Sequence, residues 1–303
     1  MKKFSGIWVP LVTPFVNGEV DYKAAQNLAA HMLDKGVHGL VVCSTTGEGC
    51  SLNHVEKSLL AEAIVDAAQG RCPVFMGLNG SNTHEVAAQA LAFKHTGIDG
   101  YMLSAPNYVR PSQEGIIGHF QHIARAVDLP IIIYNIPSRT GVNMEPQTIA
   151  SLCKHKPFVA IKECGGLAQL ITLMDNVSCP VLCGEDDLIL TALDHGAHGA
   201  ISASANVYPE YFVALYHLMQ QGNLVQAQAL FKHLLPLIQL LFSEPNPGPV
   251  KAALALQGWI DDELRLPMLP ATLACKEKLR EALYQLGNLK PDSEMKGVDT
   301  HAA

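Results

Sequence analysis

Eight short apolar runs, bounded by Gly, Pro or Asn, constrain this chain more than any other feature. They read IWVPLVTPF (7–15), GLVVCST (39–45), PVFMGLNG (73–80), GYMLSAP (100–106), PIIIYNIP (130–137), FVAIKE (158–163), PVLCGE (180–185) and GAISASANV (199–207). Runs of four to nine residues rich in Val and Ile, without polar alternation, are the pattern of parallel strands buried on both faces. Helical patterns lie between them. DYKAAQNLAAHMLDKG opens on a cap candidate, Asp21, and closes on Gly36. NHVEKSLLAEAIVDAAQG begins at Asn53 with Glu56 three residues later, a variant of the capping box.

Strand then helix, eight times, at about 30 residues per unit, predicts a (β/α)8 barrel (TIM barrel) in the α/β class. A doubly wound sheet is the alternative, but no GxGxxG follows the first strand. After Val207 the alternation stops and four helical patterns follow without a strand. The expected organisation is therefore barrel strands and most barrel helices in 1–207, the final barrel helix and a C-terminal helical extension in 208–289, and a polar tail in 290–303.

Charge and cysteine usage exclude several classes. With 21 Lys and Arg against 28 Asp and Glu, net charge is −7, and the basic residues are scattered, so no nucleic-acid footprint is present. An anionic substrate must be held by a few local groups. None of the eight cysteines forms a CxxC pair and none has zinc-knuckle spacing to histidines. That predicts reduced thiols in a cytoplasmic protein with no metal site. Pro10 and Pro14 interrupt the first apolar run, so no signal peptide is expected, and no unbroken apolar run is long enough to suggest a membrane span.

A barrel of this kind places its active site at the C-terminal strand ends. Strand 2 runs into STTGEG with Thr45, Thr46 and Glu48, strand 4 into NYVRPSQEG with Tyr108 and Arg110, and strand 5 into YNIPSRTG with Tyr134 and Arg139. Strand 6 ends in Lys162, strand 7 in GEDD with Gly184, and strand 8 holds Ile201. Each has an ordinary reading. A strand-end lysine commonly reaches its amine to water, and a tyrosine closing a strand commonly packs with its hydroxyl bonded. Thr-Thr-Gly is turn chemistry, Glu48 and Glu163 suit structural partners, and Asp186 and Asp187 are expected to cap a helix.

The combination points elsewhere. Strand alternation puts Phe158, Ala160 and Lys162 on one face. If that face lines the barrel, Lys162 loses water and its charged form is disfavoured. A neutral amine attacks a ketone to form a Schiff base. Tyr134, on the neighbouring strand, is placed to shuttle the protons. Thr46 and its backbone N–H suit a carboxylate, so a keto acid is the expected substrate.

From about 4 to 289 the chain also resembles dihydrodipicolinate synthases, of the pyruvate-dependent aldolase superfamily that includes N-acetylneuraminate lyase. The resemblance rests on TTGE (45–48), NYVRPSQEG (107–115), YNIPSRTG (134–141), IKE (161–163) and EPNPGPVK (244–251), in that order at barrel positions. It implies that Lys162 captures pyruvate and Tyr134 is proton donor and acceptor. It implies that Thr45 links Tyr134 to a Tyr108 supplied by a neighbouring subunit of a homotetramer. Thr46, Gly184 and the backbone at Ile201 are matched to substrate contacts, and Arg139 to the arginine that holds the carboxylate of aspartate semialdehyde. No metal or organic cofactor is implied.

Neuraminate lyases and sugar-acid aldolases resemble the chain at the lysine and tyrosine but typically lack that arginine. A related aldolase or dehydratase acting on a sugar acid or hydroxy-keto acid is thus the alternative, and a non-catalytic keto-acid-binding barrel a third. In feedback-regulated members, lysine binds at a subunit interface whose matched positions here are Cys50, His54, Lys57, Ser81, Glu85 and Asn107. Lys57 stands for a histidine, Ser81 for an asparagine and Asn107 for an aromatic residue, so weak or absent lysine inhibition is expected.

Overall fold

The fold is that of a computed structural model, which describes residues 4–287. Its centre is a closed barrel of eight parallel strands: β1 (Gly6–Pro10), β2 (Gly39–Val42), β3 (Val74–Leu78), β4 (Gly100–Ser104), β5 (Ile131–Asn135), β6 (Phe158–Glu163), β7 (Val181–Cys183) and β8 (Gly199–Ile201). Every strand pairs with its neighbours in sequence, and β8 closes onto β1. The helices between them are α1 (Tyr22–Asp34), α2 (His54–Ala68), α3 (Thr83–Phe93), α4 (Gln113–Ala126), α5 (Pro146–Cys153), α6 (Leu167–Asn176), α7 (Ile189–Asp194) and α8 (Pro209–Gln220). The TIM-barrel expectation holds. The strands are shorter than the apolar runs: β1 stops at Pro10, and the rest of its run feeds a small antiparallel ribbon, Phe15–Val16 with Glu19–Val20. β8 stops at Ile201, and Ser204–Asn206 is a turn of 3-10 helix.

The local signals that start the helices act as read. Asp21 accepts the N–H of Ala24 at 2.9 Å. Asn53 and Glu56 form a reciprocal capping box, with bonds of 3.0 and 2.9 Å that satisfy two N–H groups the helix leaves free.

Two apolar layers result. The inner one fills the barrel with Trp8, Val41, Phe75, Met102, Ile132, Tyr134, Ala160, Leu182 and Ile201. The outer one joins strands to helices and carries Ile7, Val9, Ile131, Ile133 and Ile161. One alternation departs from the sequence pattern. Ala160 faces inward and Lys162 follows it, but Phe158 belongs to the outer layer, its ring 6.0 Å from that of Phe120. The cause is an irregularity in pairing: Ile131 opposes Phe158 while Ile132 opposes Ala160, so one extra residue of β6 is accommodated and the period of two is reset.

Beyond the barrel lie α9 (Leu224–Leu241), α10 (Gly248–Leu256) and α11 (Leu273–Gly287), the expected C-terminal extension. By length and mean hydropathy α9 meets the requirement for a membrane span. Its apolar residues Ala227, Phe231, Leu234, Ile238 and Leu241 instead recur at helical spacing and are buried in the outer core. Tyr208 and Tyr211 donate their hydroxyls to the carbonyls of Leu283 and Leu286, at 3.1 and 2.9 Å, tying α8 to the last helix. The sequence-predicted tail, 290–303, lies outside the described residues.

Candidate active site

The C-terminal mouth of the barrel opens into a cavity of about 440 Å³. Six of the eight residues singled out in the sequence line it: Thr45, Thr46, Tyr134, Arg139, Lys162 and Gly184.

Lys162 and Tyr134 are register partners on β6 and β5, both pointing inward. Each is 6% exposed, and the lysine Nζ sits 4.5 Å from the centre of the tyrosine ring. Burial pulls the Lys162 pKa down, and the nearby Arg139 adds to this, while Cys164, Asp186 and Cys183 act in the opposite sense. Tyr134 is pushed well above the ordinary phenol range, first by burial and then by Cys164, with the Thr45 hydrogen bond and Arg139 opposing. The site thus holds an amine biased towards its free base beside a phenol that keeps its proton.

Gly184, at the end of β7, leaves room for the amine. A Cβ there would collide with Cys164 Sγ and come within 2.9 Å of Lys162 Cε. Arg139 lies on the helical turn Pro137–Thr140 that follows β5, exposed to solvent at the cavity wall.

The loop bearing Thr45 and Thr46 is held from beneath. Gly47 passes so close to Leu11 that a Cβ would meet its carbonyl at 2.8 Å, and Thr13 donates its hydroxyl to the Gly47 carbonyl at 2.6 Å. Glu48 adopts left-handed backbone, φ 49°, and turns its carboxylate into the protein, where it pairs with Lys251 of α10 at 2.9 Å. The reading of Glu48 as a structural partner is correct.

Two features were not read from the sequence. Asn246, in the EPNPGPVK segment, donates to Thr46 Oγ1 at 3.1 Å and lines the cavity. Asp186 does not cap its own helix; buried at 2% exposure, it accepts the N–H of Ser204 at 2.7 Å and also lines the cavity. Its position just past a strand end was the available signal. Asp187 forms no helix cap either and lines the same wall.

The remaining two residues lie elsewhere. Ile201 is fully buried in the inner layer, and Ala203, two residues on, lines the cavity in its place. Tyr108 is 90% exposed, with φ 70°, on the loop after β4. Among the described residues, no group of three His, Cys, Asp or Glu side chains is placed to hold a metal ion.

A closed parallel barrel with a desolvated lysine beside a buried tyrosine at its C-terminal mouth defines the class: a TIM-barrel lyase of the Schiff-base type. Comparison with known proteins narrows it. Residues 3–286 match the dihydrodipicolinate synthetase family. The 4-hydroxy-tetrahydrodipicolinate synthase of Syntrophus aciditrophicus is 40% identical over 288 residues, covering 94% of this chain and 99% of that one. The crystal structure of dihydrodipicolinate synthase from Thermotoga maritima superposes with a TM-score of 0.92 at 36% identity, covering 94% of this chain and 99% of that one. That of the Acinetobacter baumannii synthase, a complex with pyruvate, gives 0.91 at 33% identity, covering 95% and 100%. The chain belongs to the dihydrodipicolinate synthetase family.

Proposed function

We propose that this cavity condenses pyruvate with L-aspartate 4-semialdehyde to give 4-hydroxy-tetrahydrodipicolinate, an early intermediate of lysine and diaminopimelate synthesis. The observation that carries the reading is the buried Lys162–Tyr134 pair with Arg139 on the wall of the same cavity. Lys162 Nζ attacks the pyruvate carbonyl carbon and water leaves. Loss of a methyl proton gives the enamine, which attacks the aldehyde carbon and forms the new C–C bond. The amine of the second substrate then adds to the imine carbon, displacing Lys162 and closing the ring. The protonated imine is the electron sink of the sequence.

Tyr134 relays the protons, with Thr45 bonded to it. Thr46, held by Asn246, and the backbone beyond Ile201 suit the pyruvate carboxylate. Gly184 keeps the amine's approach open. A planar guanidinium binds a carboxylate in bidentate fashion, so Arg139 fits the semialdehyde, and the acidic residues Glu185 and Asp187 suit its ammonium. Tyr108, exposed in the single chain, serves the site of a second copy, which fits a homotetrameric assembly. Eight cysteines, none of them in a disulfide, fit the reducing cytoplasm.

The test is turnover of pyruvate and aspartate semialdehyde, coupled to an NADPH-dependent reductase that consumes the cyclic product. Lys162→Ala should abolish it and Arg139→Ala cripple it through the second substrate. Borohydride with pyruvate should leave a stable mass increment on Lys162. An adduct without turnover moves the acceptor to another aldehyde, such as that of a sugar acid. No adduct rejects the Schiff base itself.

A further inference from the structure

The outward side of the Lys162–Tyr134 strand pair carries a second pair in the same register, Glu163 opposite Asn135. Glu163 is fully buried. Its Oε1 accepts from Asn135 Nδ2 at 2.8 Å and from the backbone N–H of Gly165 at 2.5 Å. Its Oε2 accepts from Gln169 Nε2, on α6, at 3.2 Å. A Cβ on Gly165 would lie 2.6 Å from that same Oε1 and displace the carboxylate. Asn135 also fixes the segment after β5, accepting the N–H of Met144 at 3.1 Å and donating to Asn143 at 2.8 Å. One carboxylate therefore joins the residue after Tyr134, the loop after Lys162 and the helix behind both.

We propose that Glu163 is a positioning residue: as a carboxylate it locks the ends of β5 and β6 and so fixes Lys162 against Tyr134, and its protonation releases that lock. The proposal rests on the Schiff-base reading of Lys162. All three groups that meet Glu163 are donors, so the ionised form satisfies every one of them, whereas a carboxylic acid must turn a proton towards one and lose it. Burial opposes the charge. The two effects leave the Glu163 pKa pushed up to about 7, with the neighbouring Glu185 adding to the rise. Glu185 accepts the N–H of Gly166 at 3.0 Å from the loop after β7, and Cys164 is the other titratable group coupled to Glu163. The remaining groups that pack against the carboxylate, Asn135, Asn143 and Gln169, do not titrate.

The experiment follows cyanoborohydride trapping of pyruvate on Lys162, and hydrogen-exchange protection of the Gly165 amide, across about two pH units on either side of neutrality. The wild type should lose trapping rate and Gly165 protection together as pH falls through neutrality, by about tenfold over the two units centred on the transition, as one proton requires. Glu163→Gln keeps an acceptor but does not titrate, so Gly165 protection should lose that limb, and trapping should keep only the part set by protonation of Lys162 itself. Gln169→Ala removes one donor to the carboxylate and should move the limb to higher pH. Retention of the Gly165 protection limb in Glu163→Gln, or no movement of it in Gln169→Ala, overturns the proposal. A wild type that traps no pyruvate rejects the Schiff-base reading, while the Gly165 amide still decides on the lock: protection that does not change through neutrality rejects it.

Discussion

The Glu48–Lys251 pair joins the Thr45–Thr46 loop to the C-terminal extension across 203 residues of sequence, and its removal should be costly in a specific way. The two side chains are 1% and 0% exposed. Lys251 donates to Glu48 at 2.9 Å and to the Thr13 carbonyl at 2.8 Å, and its amine lies 4.2 Å from the centre of the Phe15 ring. Glu48 also accepts the backbone N–H of Arg265 at 3.3 Å. Lys251→Met keeps the volume but leaves a buried carboxylate without its counter-charge and orphans the Thr13 carbonyl, a loss of about 3–5 kcal/mol. Glu48→Met should cost a similar amount by stranding the ammonium. The double replacement removes both charges and leaves only the Thr13 carbonyl and the Arg265 N–H short of partners, so it should lose about 1–3 kcal/mol, far less than the sum. Equilibrium urea unfolding, read by the fluorescence of Trp8 and Trp259 in all four proteins, closes the cycle. Additive losses, or single-mutant losses below about 1 kcal/mol, would refute the account of a desolvated, mutually dependent pair.

Three further outcomes follow from the geometry. Gly184→Ala should leave the barrel folded by circular dichroism yet abolish pyruvate trapping, because its Cβ occupies the space of Lys162 Cε and Cys164 Sγ; normal trapping would show that the amine does not need this path. His119, buried with its Nδ1 on Thr83 at 2.9 Å, has its pKa pulled down to about 4 by burial and the nearby His122. A histidine with a depressed folded-state pKa contributes stability present above its unfolded value, near 6.5, and lost as pH falls through 4; this should amount to about 3 kcal/mol in a pH series of urea titrations and vanish in His119→Gln. L-lysine at sub-millimolar concentration should inhibit turnover little, since Lys57 adds a second cation and Ser81 is engaged by Asn107 at 2.8 and 2.9 Å, where feedback-regulated relatives carry an aromatic residue; strong inhibition would overturn this.

What the sequence revealed and what it concealed divide along the range of the interactions. The barrel was legible because each strand is buried on both faces and writes an unbroken apolar run, and because caps such as Asn53–Glu56 act within three residues. Lys162 and Tyr134 were legible because each breaks such a run at its end. The outward turn of Phe158 was not, because alternation assumes unbroken pairing and the irregularity opposite Ile131 and Ile132 leaves no mark in composition. Asp186 read as a helix cap by local rules, but its partner is Ser204, on the loop of the next strand. Asn246 reaches Thr46 across 200 residues, a contact that only the folded chain defines.

Under the Schiff-base role proposed for Lys162, its charge environment meets a conflict that burial alone does not resolve. Attack on a ketone needs the free base, which desolvation favours. The product of that attack, the iminium, carries the charge that desolvation penalises, so an entirely apolar cavity would favour the free amine and at the same time destabilise the intermediate it forms. Asp186 lies on the same cavity wall and acts on Lys162 against desolvation, pushing its pKa up while burial pulls it down. Asp186 in turn is raised by its own burial and drawn back by Ser204, Ser202 and Lys162. Each group therefore opposes the burial shift of the other, and under the proposed Schiff-base role a carboxylate anchored on the Ser204 N–H is already in place when positive charge develops on the imine nitrogen. Preorganised compensation of this kind costs no reorganisation at the moment of reaction.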